Sequence, residues 1–342
     1  MIAERFLVTG GLGCLGAWTV KTLLDQGASV STYDLSTNPY RLRLIVDDSA
    51  LARVNILQGD VTNLEQLESV VREHRITHVI HLAALQAPYV KADPIMGALV
   101  NVVGTTVVLE MALRLRGQLE GLVYASSGSV YGDDQMRVPR VEGSELPHGA
   151  SWLYGVFKLA NEGTARIYWQ DHGLATIGVR PCGIIYGPGR DRGFSSSPSK
   201  AMVAATVGRE YRITFDASGV FEYAKDVASI FVRAARAKVQ GAPVCNLGGT
   251  QGSVSEIRSL IERLVPSSVG KLSVSDLKVA NPREFDEQAI TDLIGPISWT
   301  PLADGVRESI EIMRHAFESG RLNAQVDDAA TGAAAAMPLG DA

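Results

Sequence analysis

Tyr154 and Lys158 stand four residues apart in the run Tyr154-Gly155-Val156-Phe157-Lys158, and no other tyrosine in the chain has a lysine at that spacing. On a helix, residues four apart share a face. A phenol ionises near pH 10, so tyrosine serves as a base at neutral pH only where its anion is favoured. A neighbouring ammonium favours it, and a shift of about three units corresponds to roughly 4 kcal/mol of differential stabilisation. Such a tyrosine can take the proton of an alcohol while a hydride leaves the same carbon. Ser127 joins the pair. It lies in Ala125-Ser126-Ser127-Gly128-Ser129-Val130-Tyr131-Gly132, directly after an apolar strand. A hydroxyl there can hydrogen-bond the reacting oxygen, and Ser129 offers a second one to the substrate. An ordinary Ser/Gly turn has the same composition, so the reading depends on finding a hydride acceptor.

The acceptor is legible at the N-terminus. Residues 6–16 read Phe6-Leu7-Val8-Thr9-Gly10-Gly11-Leu12-Gly13-Cys14-Leu15-Gly16, a short apolar strand entering glycines spaced by three. Gly10 suits the tight turn, Gly13 lets backbone approach a pyrophosphate, and Gly16 lets the next helix pack close. The free N–H groups of that helix attract phosphate. A second strand, residues 28–33, ends in Asp34, about twenty residues on, where a carboxylate binds both ribose hydroxyls. It would repel a 2′-phosphate, and Leu35, Ser36 and Thr37 offer no cation. NAD is therefore expected rather than NADP. Further strand ends would line the cofactor: Asp60 and Val61 at the adenine, Leu82, Ala83 and Ala84 at the pyrophosphate side, and Pro181 near the nicotinamide.

The elements that must hold these residues alternate. Strands are expected at 54–57, 78–81, 121–125 and 176–180, with helices over 63–74, 94–115 and 151–172. Near-continuous apolar strands in β-α alternation predict a doubly wound parallel α/β sheet of Rossmann type. Beyond Arg180 the rhythm breaks at a Gly/Pro/Ser-rich loop, 187–199, and helices follow near 225–238, 253–264 and 303–318 with one more sheet strand at 244–247. The expected organisation is an NAD-binding domain over 1–180, with 220–250 returning to it. A smaller α/β substrate domain takes 181–219 and 251–320, and a disordered Ala-rich tail takes 321–342.

The chain has 342 residues, 46% apolar and 20% charged, enough for a sizeable core in one large or two interleaved domains. A net charge of −5 without a basic run argues against nucleic acid. The six histidines show no metal-ligand spacing, so no metal is expected. Three distant cysteines suit a reducing cytoplasm, and Cys182 reads as a small core thiol. No signal peptide is visible and no stretch approaches the roughly 18 apolar residues of a membrane span. The expectation is a cytoplasmic protein off the membrane.

On these motifs the chain resembles the extended short-chain dehydrogenases/reductases, the NAD-dependent epimerase/dehydratase family. The matching pieces are TGGLGCLG at 9–16, Asp34, GDV at 59–61, HLAA at 81–84, Asn101 ahead of Gly104-Thr105, SSGSVYG at 126–132, YGVFK at 154–158, RPCGIIYGPG at 180–189, YAKDVA at 223–228, and Gly295 with Trp299-Thr300-Pro301. They cover about residues 1–318. The resemblance implies that Ser127 orients the substrate oxygen, Tyr154 is acid and base, and Lys158 binds the nicotinamide ribose and lowers the tyrosine pKa. It implies that Leu15 and Asn101 join the cofactor contacts. It also implies a homodimer built on two long helices.

The departures bear on the substrate. Dehydratases of this family carry Asp-Glu where this chain has Gly128-Ser129, so elimination of water lacks its acid and base. Epimerases place an Asn after the Arg-x-x start and often an Arg before the Asp-Val-Ala run, both near a sugar-nucleotide diphosphate. Here Arg180-Pro181-Cys182-Gly183 and Ser218-Gly219-Val220 stand there. Arg190 and Arg192, in the loop after Gly187-Pro188, are candidates for a substrate carboxylate, and Gln86 for the site wall. The first reading is an NAD-dependent oxidoreductase acting on a secondary alcohol of a small polar compound such as a sugar or sugar acid. The alternative is an NDP-sugar 4-epimerase of the UDP-glucose type with tightly held NAD. A non-catalytic nucleotide sensor is the third.

Overall fold

The computed structural model describes residues 4–132, 149–279 and 281–322. The strands are β1 Arg5–Thr9, β2 Ser29–Asp34, β3 Val54–Gln58, β4 His78–His81, β5 Gly121–Ala125 and β6 Ile177–Arg180. Then come β7 Ile184–Tyr186, β8 Tyr211–Ile213, β9 Ser218–Tyr223, β10 Val244–Asn246, β11 Thr250–Ser253 and β12 Leu272–Val274. Seven of them form one parallel sheet in the order β10-β6-β5-β4-β1-β2-β3. Phe6, Leu7 and Val8 are fully buried, which is why β1 reads as an unbroken apolar run: both of its faces are covered. The chain winds one way from β1 to β3 and the other way from β4, so a crevice opens at the carboxyl ends of β1 and β4.

The helices are α1 Cys14–Asp25, α2 Tyr40–Arg43, α3 Asp48–Leu51, α4 Leu64–Glu73, α5 Ala87–Ala92, α6 Pro94–Ala98 and α7 Gly104–Arg114. They continue with α8 Leu153–His172, α9 Ser197–Thr206, α10 Ala224–Arg236, α11 Val254–Leu264, α12 Gln288–Ile294 and α13 Leu302–Glu318. A π-helical turn, Leu99–Val103, joins α6 to α7. Phe6, Val20, Leu23, Ile80 and Phe231 pack α1 and α10 on one sheet face. Leu7, Val79, Val108, Leu122 and Ala165 pack α4, α7 and α8 on the other. A third cluster, with Tyr186, Met202, Phe215, Phe221, Ile257 and Ile310, unites the sheet β11-β9-β7, the pair β12-β8, and α9, α11 and α13. Trp18 of α1 belongs to this third cluster and ties the two units together.

Four details differ from the sequence expectation. Residues 220–223 belong to β9 in the three-stranded sheet, so the return to the large sheet begins at α10 rather than at 220. The apolar side chains of α12 reverse the assignment of 288–294: Ile290 packs in the core under the large sheet. The loop expected over 187–199 gives way to α9 at Ser197, because Pro198 suits a first helical turn. Of the tail expected over 321–342, Arg321 bonds the Val46 carbonyl (3.2 Å) and Leu322 is buried; 323–342 lie outside the described residues. In addition, Pro94–Arg114 is one helical run long and apolar enough to cross a membrane, although no such span was expected. One side of it is buried through Gly97, Asn101, Thr105 and Val108, while Ile95, Met96, Leu99 and Val103 are exposed.

Candidate active site

The glycine-rich turn is built at the carboxyl end of β1. Gly10 sits at φ +66°, and a Cβ there would lie 2.7 Å from the Ala83 nitrogen. A Cβ at Gly16 would collide with the Gly10 carbonyl oxygen. Gly13 is the N-cap of α1 and supplies no side-chain acceptor to its first turn, which includes Cys14, Leu15 and Gly16. That helix end therefore offers unspent N–H donors, the chemistry an anionic pyrophosphate needs. Asp34 accepts from the Leu12 N–H (3.2 Å) and the Ser36 N–H (3.3 Å), which holds its carboxylate beside the turn. Asp60 accepts from the Thr62 N–H (2.9 Å), and Val61 is buried against Gly104. The donor set and the glycine cradle fit NAD.

Asn101 stands in the π-helical turn and spends its amide on Leu85: it accepts from the Leu85 N–H (2.7 Å) and donates to the Leu85 carbonyl (2.9 Å). It was expected as a cofactor contact. The bonds it makes hold Leu85, in the segment that follows β4. Deeper, His81 lies between Thr9 (2.7 Å) and Thr105 (3.1 Å), and burial pushes its pKa down to about 3. The imidazole is thus a neutral strut under the cradle.

Ser127, Tyr154 and Lys158 converge at the carboxyl end of β5. Ser127 lies near enough to the Tyr154 hydroxyl to act on its pKa, and its Oγ donates to Ser129 Oγ (3.2 Å) and accepts from the Ser129 N–H (3.2 Å). Lys158 Nζ lies 5.6 Å from the centre of the Tyr154 ring and donates to the Ala125 carbonyl (2.6 Å). Burial pushes the lysine down to about 8. Burial also raises the Tyr154 pKa, opposed by the nearby Arg190 guanidinium and Ser127 hydroxyl. A nearly closed polar network lies beneath. Arg180 donates to both oxygens of Glu162 (2.8 and 2.7 Å) and to the Tyr131 hydroxyl (2.7 Å), while Ser126 bonds Glu162. Glu162 is one turn beyond Lys158 and sets a negative charge near its ammonium.

On the substrate side, Gln86 is the N-cap of α5, and its Oε1 is buried without a hydrogen-bond partner beside Gly193. Arg190 donates to Ser195 Oγ (2.8 Å), and its Nε is also buried and unpartnered. Arg192 does not join them: it is exposed and forms no hydrogen bond or ion pair among the described residues. Pro181 accepts from the Gly128 N–H (2.9 Å) and so binds the strap after β6 to the Ser127 loop. Glu222, which sequence reasoning missed inside an apolar-looking strand, is fully buried and accepts from the N–H groups of Cys182 (2.7 Å) and Gly183 (2.8 Å). Burial pushes it up to about 8. A Cβ at Gly128 would lie 2.9 Å from the Cys182 Cα, so the acid of a dehydratase has no room there. A Cβ at Gly219 would collide with the Asn281 and Pro282 carbonyl oxygens.

The sequence model of the NAD dependent epimerase/dehydratase family matches residues 6–248. A UDP-glucose 4-epimerase of Neisseria meningitidis is 31% identical over 283 residues, 74% of this chain and 80% of the relative. One of Erwinia amylovora is 36% identical over 164 residues, a match that spans about half the length of either protein (47% and 48%). The solved UDP-glucose 4-epimerase of Thermus thermophilus, a complex with NAD, aligns with a TM-score of 0.72 at 26% identity over 92% of this chain and all of that one.

Proposed function

Because the chain belongs to the NAD-dependent epimerase/dehydratase family, we propose that it is a 4-epimerase of a sugar nucleotide, oxidising a secondary alcohol and reducing the carbonyl from its opposite face. The family is NAD-dependent, and bound NAD supplies the hydride acceptor and, once reduced, the donor. The observation that carries the reading is the Ser127–Tyr154–Lys158 constellation at the carboxyl end of β5, next to the glycine cradle. Ser127 orients the substrate oxygen. Tyr154 takes the hydroxyl proton as the carbon is oxidised and returns it when the carbonyl is reduced. Lys158, charged below about pH 8, favours the phenolate during that interval. The long relatives named above support epimerisation over net oxidation.

A second reading rests on a specific observation. Gly219 leaves no room for the diphosphate-binding arginine of many epimerases, while Gln86 and Arg190 offer buried unpartnered polar atoms. These features favour a smaller polar alcohol and net formation of NADH. The two readings separate in one assay. Conversion of UDP-glucose to its 4-epimer, with no steady rise at 340 nm and loss of product in Tyr154→Phe, supports the epimerase. Stoichiometric NADH from free sugars or sugar acids, with UDP-sugars inert, overturns it.

The exposed stripe Ile95, Met96, Leu99 and Val103, continued by Leu153 and Val156 of α8, supports a homodimer packed on this two-helix face rather than a membrane contact.

A further inference from the structure

We infer that Arg41 and Asp191 clasp the two banks of the nucleotide cradle and that this clasp sets how slowly NAD leaves the protein. The inference rests on the cradle being an NAD site. One bank is the Asp34 side. Arg41 stands in α2, shortly after Asp34, and its Nη1 donates to the Leu12 carbonyl of the glycine turn (3.1 Å). The other bank is the loop after β7. Pro188 accepts from Trp18 Nε1 (3.0 Å), and its carbonyl oxygen lies 4.0 Å from the sulfur of Cys14, the first residue of α1. The loop thus lies along the first turns of the helix whose uncapped end would receive the phosphates.

Asp191 completes the crossing. Its carboxylate accepts from Arg41 Nε at 2.9 and 3.1 Å, and Nη2 lies 2.9 Å from Oδ1 in the same ion pair. Gly189, at φ +81°, turns the backbone where the loop lies on the arginine stem. A lone surface ion pair contributes little. Here Nε shares its hydrogen between both carboxylate oxygens while Nη1 bonds the cradle itself, and the side chains are 20% exposed at Arg41 and 39% at Asp191. A clasp of this kind matters to the chemistry. A reaction that returns its hydride to the same substrate needs no cofactor exchange, whereas net oxidation must release the cofactor at each turnover.

The test is the release rate of labelled NAD chased with unlabelled NAD, in the wild type, Arg41→Gln, Asp191→Asn and the double variant. Each single change is expected to speed release about tenfold, the scale of one partly buried charge-assisted link. The double variant should be no faster than the faster single, because both act on one link. Wild-type release should quicken with added salt more than release from the variants. NAD-free variants that melt with the wild type show that the fold is intact. Release within twofold of wild type in both single variants, or effects that multiply in the double, would overturn the clasp. Absence of NAD binding in the wild type would instead sink the cofactor reading on which it stands.

Discussion

Lys158 shows how a single residue trades stability for chemistry. Its ammonium is nearly sealed in, with the Ala125 carbonyl as a direct partner and Glu162 one turn away. The folded group titrates at about 8, against roughly 10.4 for a free lysine. Between those values the unfolded chain binds the extra proton, so stability rises with pH across that window. Below it the folded protein holds a buried charge that unfolding would relieve. Lys158→Met is therefore expected to melt above wild type at pH 7, with the gap narrowing towards pH 10, and to lose turnover. Paired melting curves and assays check both halves. Tyr154 and Lys158 are legible in sequence because helical spacing is a local rule. Glu162 shares that face and could have been found by the same spacing, whereas Arg41 and Asp191 meet across 150 residues and belong to no periodic pattern.

At the scale of elements, the join of β1 to α1 carries most of the cofactor site. Gly16 has no slack, since any side chain there meets the Gly10 carbonyl. Gly16→Ala should weaken NAD binding by at least tenfold, a loss of about 1.4 kcal/mol, measurable by calorimetry, and should also lower the melting temperature of the NAD-free protein, because the clash is with backbone. The alternating strands and helices of this half were legible because each buries a continuous or periodic apolar face. The π-helical turn at Leu99–Val103 was not, because nothing in its composition departs from an α-helix. It carries Asn101, whose amide bonds the Leu85 backbone. The small sheets were hidden for another reason: β7, β8 and β12 have three residues each, too few for alternation to register.

At the scale of the whole molecule, the proposed dimer is tested on the outer face of α6 to α8. Leu99→Glu with Val103→Glu puts charge into the apolar stripe without touching the Asn101 side of the helix. Light scattering should show the wild type as a dimer and this variant as a monomer that still binds NAD. A monomeric wild type would rule out the two-helix dimer.

The large sheet also constrains how the chain is made. Strand β6 gains its outer partner only when β10 pairs with it, Val244 beside Gly178 through Asn246 beside Arg180. Until the ribosome has extended past Asn246, the sheet ends in the unpaired edge of an apolar strand, an invitation to pair with another nascent chain. The Arg180 side chain waits over the same interval for Asn246, which closes the network beneath Lys158. The segment between them builds much of the smaller unit, so the nucleotide half is left vulnerable while its neighbour is synthesised. Fragments cut before 244, attractive as minimal cofactor-binding domains, would carry that open edge permanently and aggregate.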